Sequence, residues 1–105
     1  MQVRVMSVNG REVALHQCRV DLNPTVVAAN VVDEAVLLDT AASTYFSLNE
    51  VGTRAWSAAL KGQSVEQLYE QVLQEFDVAP AELLRDLGQF YGELERLGLA
   101  TIRSA

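Results

Sequence analysis

The stretch that decides the fold is Thr44-Tyr-Phe-Ser-Leu-Asn-Glu-Val-Gly-Thr-Arg-Ala-Trp56, because the spacing of its polar and apolar residues changes partway along. Its first part, Thr44 to Leu48, alternates and predicts a β-strand with Phe46 and Leu48 on one face. Asn49 is favoured at helix N-caps, and apolar residues recur after it at helical spacing. The stretch therefore predicts a strand that leads directly into a helix.

Two short apolar runs precede this stretch and are rich in β-branched residues. They cover residues 25–32 and 35–39, with predicted turns at Asp33-Glu34 and at residues 40–43. Together with residues 44–48 they predict a three-stranded antiparallel meander.

Helical patterns continue downstream. The first helix is expected to end at Gly62, a capping box at Ser64-Val-Glu-Gln67 opens a second, and Pro80 suits the first turn of a third that stops at Gly98. Residues 99–102 predict a last strand or a packed coil. The residues most strongly expected in the core are Trp56, Leu60, Leu68, Val72 and Leu94.

The third helix has an apolar arc of about 140°, wider than packing on one neighbour requires. Part of the arc is therefore expected to face a further surface. Its members are Leu83, Leu84, Leu87, Phe90, Tyr91, Leu94 and Leu97, with Asp86 at the edge, whereas Arg85, Gln89, Gly92 and Glu93 are expected to point away. Gly88 and Gly92 would let a neighbour approach closely and do not form a nucleotide-binding loop.

The N-terminal part predicts a separate β-hairpin. Asn9-Gly10 lies between alternating residues from Val3 to Leu15, and both residues tolerate the positive φ of a type I′ turn. Residues 18–24 are polar and predict a connector. The expected division is residues 1–23 as hairpin and connector and residues 24–105 as the main domain.

Charge and residue types exclude several functions. The net charge of −6 argues against nucleic acid and anionic membranes as partners, and no apolar run predicts a signal sequence or membrane span. The single cysteine, Cys18, cannot form an internal disulfide, which favours a cytoplasmic protein. His16 and Cys18 are too few for a metal site, and no catalytic triad or paired carboxylates are visible, so neither a metal, a cofactor nor an enzymatic activity is expected.

The connected pattern resembles the PqqD-like family of precursor-peptide recognition modules, which serve peptides that are made by ribosomes and then modified. The similarity covers about residues 25–102 and is strongest to the stand-alone leader-binding proteins of lasso-peptide clusters. The motifs are Tyr45-Phe46-x-Leu48-Asn49-x-x-Gly52-Thr53-Arg54-x-Trp56, Leu60-x-Gly62-x-Ser64-Val65, Glu75-Phe76-Asp77-Val78 and Asp86-x-x-x-Phe90-x-x-x-Leu94-x-x-x-Gly98-Leu99.

The resemblance implies an α+β fold like a winged helix-turn-helix, with three antiparallel strands followed by three helices, to which this chain adds the N-terminal hairpin. It also implies a non-catalytic function, in which a leader peptide is added as a strand to residues 44–48 against the third helix and presented to a modifying enzyme. That enzyme is either a lasso-type leader peptidase and cyclase or a radical enzyme that uses S-adenosylmethionine. The predicted peptide-binding residues are Thr44, Tyr45, Phe46, Ser47, Leu83, Asp86, Leu87 and Phe90.

Two other functions share this architecture. A winged-helix DNA-binding regulator would use the third helix for recognition, but that helix has two arginines, Arg85 and Arg96, against four acids, Glu82, Asp86, Glu93 and Glu95. A small oligomerisation or scaffold domain would pair its arc or its free strand edge with a second copy, which leaves a homodimer as an alternative.

Overall fold

The computed structural model describes residues 3–31 and 34–104 of the chain. These residues form seven strands, three α-helices and one short 3-10 helix (Leu15–Gln17) in an α+β arrangement, which agrees with the predicted fold class. The strands are β1 (Val5–Val8), β2 (Arg11–Ala14), β3 (Cys18–Leu22), β4 (Val26–Val31), β5 (Glu34–Asp39), β6 (Thr44–Leu48) and β7 (Ala100–Ser104). The helices are α1 (Glu50–Leu60), α2 (Val65–Glu75) and α3 (Pro80–Arg96).

The predicted N-terminal hairpin is confirmed. Strands β1 and β2 pair antiparallel, with Val8 opposite Arg11 at the turn. Asn9 and Gly10 have φ angles of 49° and 82°, the left-handed pair that a type I′ turn needs. Met6 and Val8 are buried, so the inner face of the hairpin belongs to the hydrophobic core.

The predicted three-stranded meander is also confirmed. Strands β4, β5 and β6 form one antiparallel sheet in that order. The Asp39 carboxylate holds the turn before β6, since it accepts hydrogen bonds from Thr25 Oγ1 at 2.7 Å and from the Ala41 N–H at 3.0 Å. These bonds, led by the one from Thr25, lower the pKa of Asp39. Of the turn predicted at Asp33-Glu34, Asp33 lies outside the described residues and Glu34 begins β5.

The connector predicted over residues 18–24 is wrong for most of its length. Residues 18–22 form β3, which pairs antiparallel with β7 and so ties the N-terminal part to the end of the chain. The physical reason is a weak alternation, in which Cys18, Val20 and Leu22 are half-buried and Arg19 and Asp21 are exposed. The division of the chain at residue 23 stays a prediction.

The helix boundaries follow the predicted caps. Asn49 Oδ1 accepts a hydrogen bond from the Gly52 N–H at 2.7 Å, and Ser64 and Gln67 form the reciprocal capping box. Helix α3 starts at Pro80 and is followed by Gly98 with a φ of 74°.

The predicted core is confirmed at four of its five positions. Trp56, Leu68, Val72 and Leu94 are buried. Leu60 is wrong, because its side chain is 64% exposed. It is the last residue of α1, and its side chain lies on the surface.

The hairpin packs directly on α3 through a glycine. A Cβ atom on residue 88 would lie 2.2 Å from the backbone oxygen of Ser7, so any larger residue would collide with β1. One turn later, a Cβ atom on residue 92 would lie 3.0 Å from Asn9 Oδ1. The sequence expectation that these glycines allow a close approach is confirmed, and the neighbour is the hairpin.

Polar contacts hold the tip of the hairpin on the last turns of α3. Arg11 binds both carboxylate oxygens of Glu95, at 2.8 and 2.9 Å, and Asn9 Nδ2 donates to the Gly92 oxygen at 3.1 Å and to Glu95 Oε1 at 3.0 Å. These donors, led by Arg11, lower the pKa of Glu95 to about 2. We call Asn9, Arg11 and Glu95 the hairpin clamp.

Candidate functional site

Strand β6 is an edge strand of its sheet, and within the described residues it pairs only with β5. The Thr40 N–H donates to the Thr25 oxygen at 3.0 Å, so the backbone of residue 40 faces β4. The direction in which the backbone N–H and C=O groups point alternates along a strand. Those of Asp39 therefore point toward β6, where Asp39 is paired with Thr44. By the same alternation, the N–H and C=O groups of Tyr45 and Ser47 point to the open edge.

The open edge of β6 borders a groove of about 570 Å³ against α3, which we call the β6 groove. Its apolar part is formed by Phe46 and Phe90, both half-buried, with ring centroids 6.3 Å apart and planes tilted by 56°. The full lining is Phe46, Ser47, Leu48, Asn49, Asp86, Gln89, Phe90 and Glu93. A strand edge beside an apolar wall is the arrangement that binds extended peptides.

The first turn of α1 fixes the position of Phe90. A Cβ atom on residue 52 would lie 3.1 Å from the Phe90 ring and 3.2 Å from Asn49 Oδ1. Glycine at this position therefore lets the capped start of α1 and the aromatic ring pack together. The Asn49-x-x-Gly52 part of the motif thus has a direct role in shaping the groove.

The structure brings four of the predicted binding residues together at this groove, namely Phe46, Ser47, Asp86 and Phe90. Thr44 is half-buried at the start of β6, and Tyr45 projects from the outer face of the sheet with 70% of its area exposed.

Leu83 and Leu87 are not at the groove surface. Both side chains are completely buried, so they belong to the core of the protein. The wide apolar arc of α3 is thus largely accounted for by internal packing, since Tyr91 and Leu94 are buried as well. The part of the arc that remains accessible at the groove is Phe90.

Four residues that line the groove are not among the predicted binding residues, namely Leu48, Asn49, Gln89 and Glu93. Gln89 and Glu93 were expected to point away, but both line the β6 groove. They follow Asp86 by three and seven residues, which is the spacing of one helix face and was a usable indication. The pocket therefore carries two carboxylates, Asp86 and Glu93, and no lysine or arginine among its lining residues.

The N-terminal candidates for other chemistry lie elsewhere. Burial raises the pKa of the Cys18 thiol to about 11, so at neutral pH little of it is the reactive thiolate. Among residues 3–31 and 34–104, no group of three or more His, Cys, Asp and Glu side chains is placed to hold a metal ion. Over the same residues, no helix is long and apolar enough to cross a bilayer.

A protein-family model matches more than half of the chain. The model for PqqD, coenzyme PQQ synthesis protein D, matches residues 34–100. The hairpin, β3 and β4 precede this range. A search of curated proteins finds no match.

Two solved structures are similar in fold. TbiB1 in complex with the TbiA(beta) leader peptide is 34% identical, with a TM-score of 0.69, over 76% of this chain and 93% of that chain. Lasso peptide synthetase B1 complexed with the leader peptide is 24% identical, with a TM-score of 0.72, over 79% of this chain and 98% of that chain. The second likeness concerns the fold alone.

Proposed function

The chain belongs to the PqqD family, and we propose that it recognises the leader segment of a ribosomally made precursor peptide by adding that segment as a strand to β6. The observation that carries the proposal is the outward backbone of Tyr45 and Ser47 beside the β6 groove. Two residues there offer an N–H donor and a C=O acceptor each, and the groove offers an apolar contact next to them.

Backbone contacts and side-chain contacts are proposed to have different roles in binding the peptide. Backbone bonds to Tyr45 and Ser47 supply affinity for any extended peptide, whereas side chains in the groove select among peptides. Phe46 and Phe90 favour an apolar residue on the inner face of the added strand. Asp86 and Glu93 favour a basic residue or another donor nearby.

One of the two similar structures supports this proposal. TbiB1, which is 34% identical, is described in complex with a leader peptide. We propose that this chain likewise acts without catalysis, in the cytoplasm, and presents its peptide to the modifying enzyme of the same pathway. A lasso-type peptidase and cyclase is favoured over a radical enzyme because the sequence motifs most resemble those of the stand-alone leader-binding proteins of lasso-peptide clusters.

The proposal is tested by a substitution that removes the backbone N–H of residue 47, compared with one that keeps it. Ser47→Pro removes an N–H that points away from β5, so the β5–β6 pairing is kept while one bond to the peptide is lost. Ser47→Ala is the matched control, because it removes only the exposed hydroxyl. Calorimetry with the leader peptide encoded beside this gene is expected to show about fivefold weaker binding for Ser47→Pro, corresponding to one hydrogen bond of about 1 kcal/mol.

Circular dichroism and melting curves establish that both variants are folded before binding is compared. Equal affinity of the folded proline and alanine variants would contradict strand addition at β6. No binding of the leader to the unsubstituted protein at tens of micromolar would contradict the proposed function as a whole.

A further inference from the structure

A second groove lies on the other side of α3, between the helix and the hairpin. It has a volume of about 750 Å³, and we call it the β1 groove. Its lining includes Val5, Ser7, Arg85, Gln89, Glu93 and Arg96. Gln89 and Glu93 line both grooves, so the β1 groove and the β6 groove are adjacent and separated by one ridge of α3.

The β1 groove also contains an outward-facing strand edge. The Leu15 N–H donates to the Arg4 oxygen at 2.9 Å, so residue 4 faces β2. The alternation of backbone direction then turns the N–H and C=O groups of Val5 and Ser7 away from β2 and toward the groove. The Ser7 oxygen is covered by Gly88, whereas Val5 lies closer to the start of the strand and its side chain is 38% exposed.

The charge of the β1 groove differs from that of the β6 groove. Its arginines are Arg85 and Arg96, and its single acid is Glu93. Arg96 has only a long contact to Glu93, at 3.9 Å, and Arg85 has no carboxylate within salt-bridge distance among the described residues. The hairpin arginines differ in this respect, since Arg4 pairs with Glu70 and Arg11 with Glu95.

The spacing of the two arginines suits an extended chain. Arg85 and Arg96 are eleven positions apart, which corresponds to about 16 Å along the helix axis and places them on nearly the same face. In an extended peptide, side chains four residues apart are on one face and about 14 Å apart. Two acidic side chains at that spacing can therefore each meet one arginine.

From these observations we infer that the β1 groove binds an acidic, extended segment of the same precursor peptide whose leader segment pairs with β6. The assignment of the segment to the precursor rests on the proposed function and on the shared ridge of Gln89 and Glu93. The protein then holds one peptide at two places, with opposite charge preference on the two sides of α3.

The first test asks whether the groove takes an acidic strand at all. The probe is a capped eight-residue peptide of alternating glutamate and valine, and the readout is the ¹H–¹⁵N spectrum of the full chain. The expected result is shifts at Val5, Ser7 and Arg85 that weaken as salt is added, with smaller changes at Tyr45 and Ser47. Shifts confined to β6, or none, would overturn the inference, whereas the leader test at β6 would stand unaffected.

The second test asks whether the acidic segment belongs to the precursor. The double variant Arg85→Glu with Arg96→Glu is compared with a control of equal charge change, Arg19→Glu with Lys61→Glu, whose sites do not line the groove. We expect the groove variant alone to bind the intact precursor about tenfold more weakly at low salt. Both variants should bind a leader fragment restricted to the β6-pairing segment equally well.

Retained affinity of the groove variant for the intact precursor, with loss of the alternating probe, would assign the groove to another acidic peptide and overturn the shared-precursor inference. Equal losses in both double variants would show a general charge effect and would overturn it too. Ser47→Pro separates the two sites, since it should leave binding of the alternating probe unchanged.

Discussion

Helix α3 lies between two strand edges, that of β1 and that of β6, and the contacts it makes with them differ. On the hairpin side Gly88 brings the helix into contact with the backbone of Ser7. On the other side the rings of Phe90 and Phe46 lie with their centroids 6.3 Å apart, and the helix leaves the outward backbone of Tyr45 and Ser47 uncovered. One face of the helix therefore closes a strand edge over part of its length, and the other leaves its edge accessible.

The absence of a side chain at Gly88 is what lets α3 cover the edge of β1 at Ser7. An uncovered edge invites pairing with other chains, so covering β1 at Ser7 limits unwanted association. Leaving β6 open is useful only when a partner strand is wanted. The contrast supports a peptide-binding role for β6 that the fold alone would not indicate.

The strongest way to break this contrast is to enlarge the glycine on the closed side. Gly88→Ala places a Cβ atom 2.2 Å from the Ser7 oxygen, a backbone atom that cannot move without displacing the hairpin. Because overpacking outweighs the gain in helix propensity, we expect a loss of about 2 to 3 kcal/mol in the free energy of unfolding.

Gly92→Ala is the matched comparison for this change. Its Cβ atom would meet the Asn9 side chain at 3.0 Å, and a side chain can shift. Urea unfolding should therefore place Gly92→Ala between the parent protein and Gly88→Ala. A Gly88→Ala variant as stable as the parent would show that the hairpin does not depend on this close contact.

The open side is tested by removing its aromatic wall. Phe90→Ala is expected to weaken leader binding by about 1 to 3 kcal/mol, because a filled apolar pocket would lose its central side chain. Some loss of stability is also expected, since Phe90 packs edge-on against Tyr91 with centroids 5.4 Å apart. Binding is therefore measured by calorimetry well below the melting temperature of the variant.

Gln89→Ala serves as the comparison at a neighbouring groove position, since that side chain is exposed and should matter less. If folded Phe90→Ala bound the leader as tightly as Gln89→Ala, the aromatic pair would be only structural.

The smallest effect concerns the hairpin clamp and its dependence on pH. Arg11 is the main cause of the low pKa of Glu95, about 2 against an ordinary 4.5. A carboxyl with a lowered folded-state pKa stabilises the fold above pH 4.5, and this stabilisation is lost as the pH falls toward 2. Arg11→Gln should therefore be less stable than the parent at neutral pH, with a difference that shrinks across this interval.

Urea unfolding at a series of pH values measures that difference. Arg19→Gln is the control, since Arg19 is exposed and makes no salt bridge among the described residues. A gap between Arg11→Gln and the parent that stayed constant down to about pH 2 would show that Glu95 is not what the arginine stabilises.

Features with a strong local cause could be predicted from the sequence. The Asn9-Gly10 turn, the Asn49 cap and the capping box at Ser64 each depend on residues next to one another, and all were confirmed. Strand β3 was missed because its alternation is weak and its partner, β7, lies near the other end of the chain. Pairing between such distant segments has no local signature.

The candidate site was predictable only in part for a similar reason. Periodicity identified an apolar face on α3 but could not tell which neighbours cover it, so Leu83 and Leu87 were expected at a surface and are completely buried. Gln89 and Glu93 were excluded because they lie outside the apolar arc, although polar side chains of α3 also line the β6 groove. The assignment of the site to leader binding stays a prediction.

The alternating backbone of β6 has a consequence for the kind of peptide it can accept. A peptide paired with β6 as proposed would bond only to Tyr45 and Ser47, so every second peptide residue would turn its own N–H toward solvent. Proline lacks that N–H and is tolerated where none is needed. The peptide should therefore obey a two-residue rule of permitted and forbidden prolines, and a proline scan would locate its register without any knowledge of its side-chain preferences.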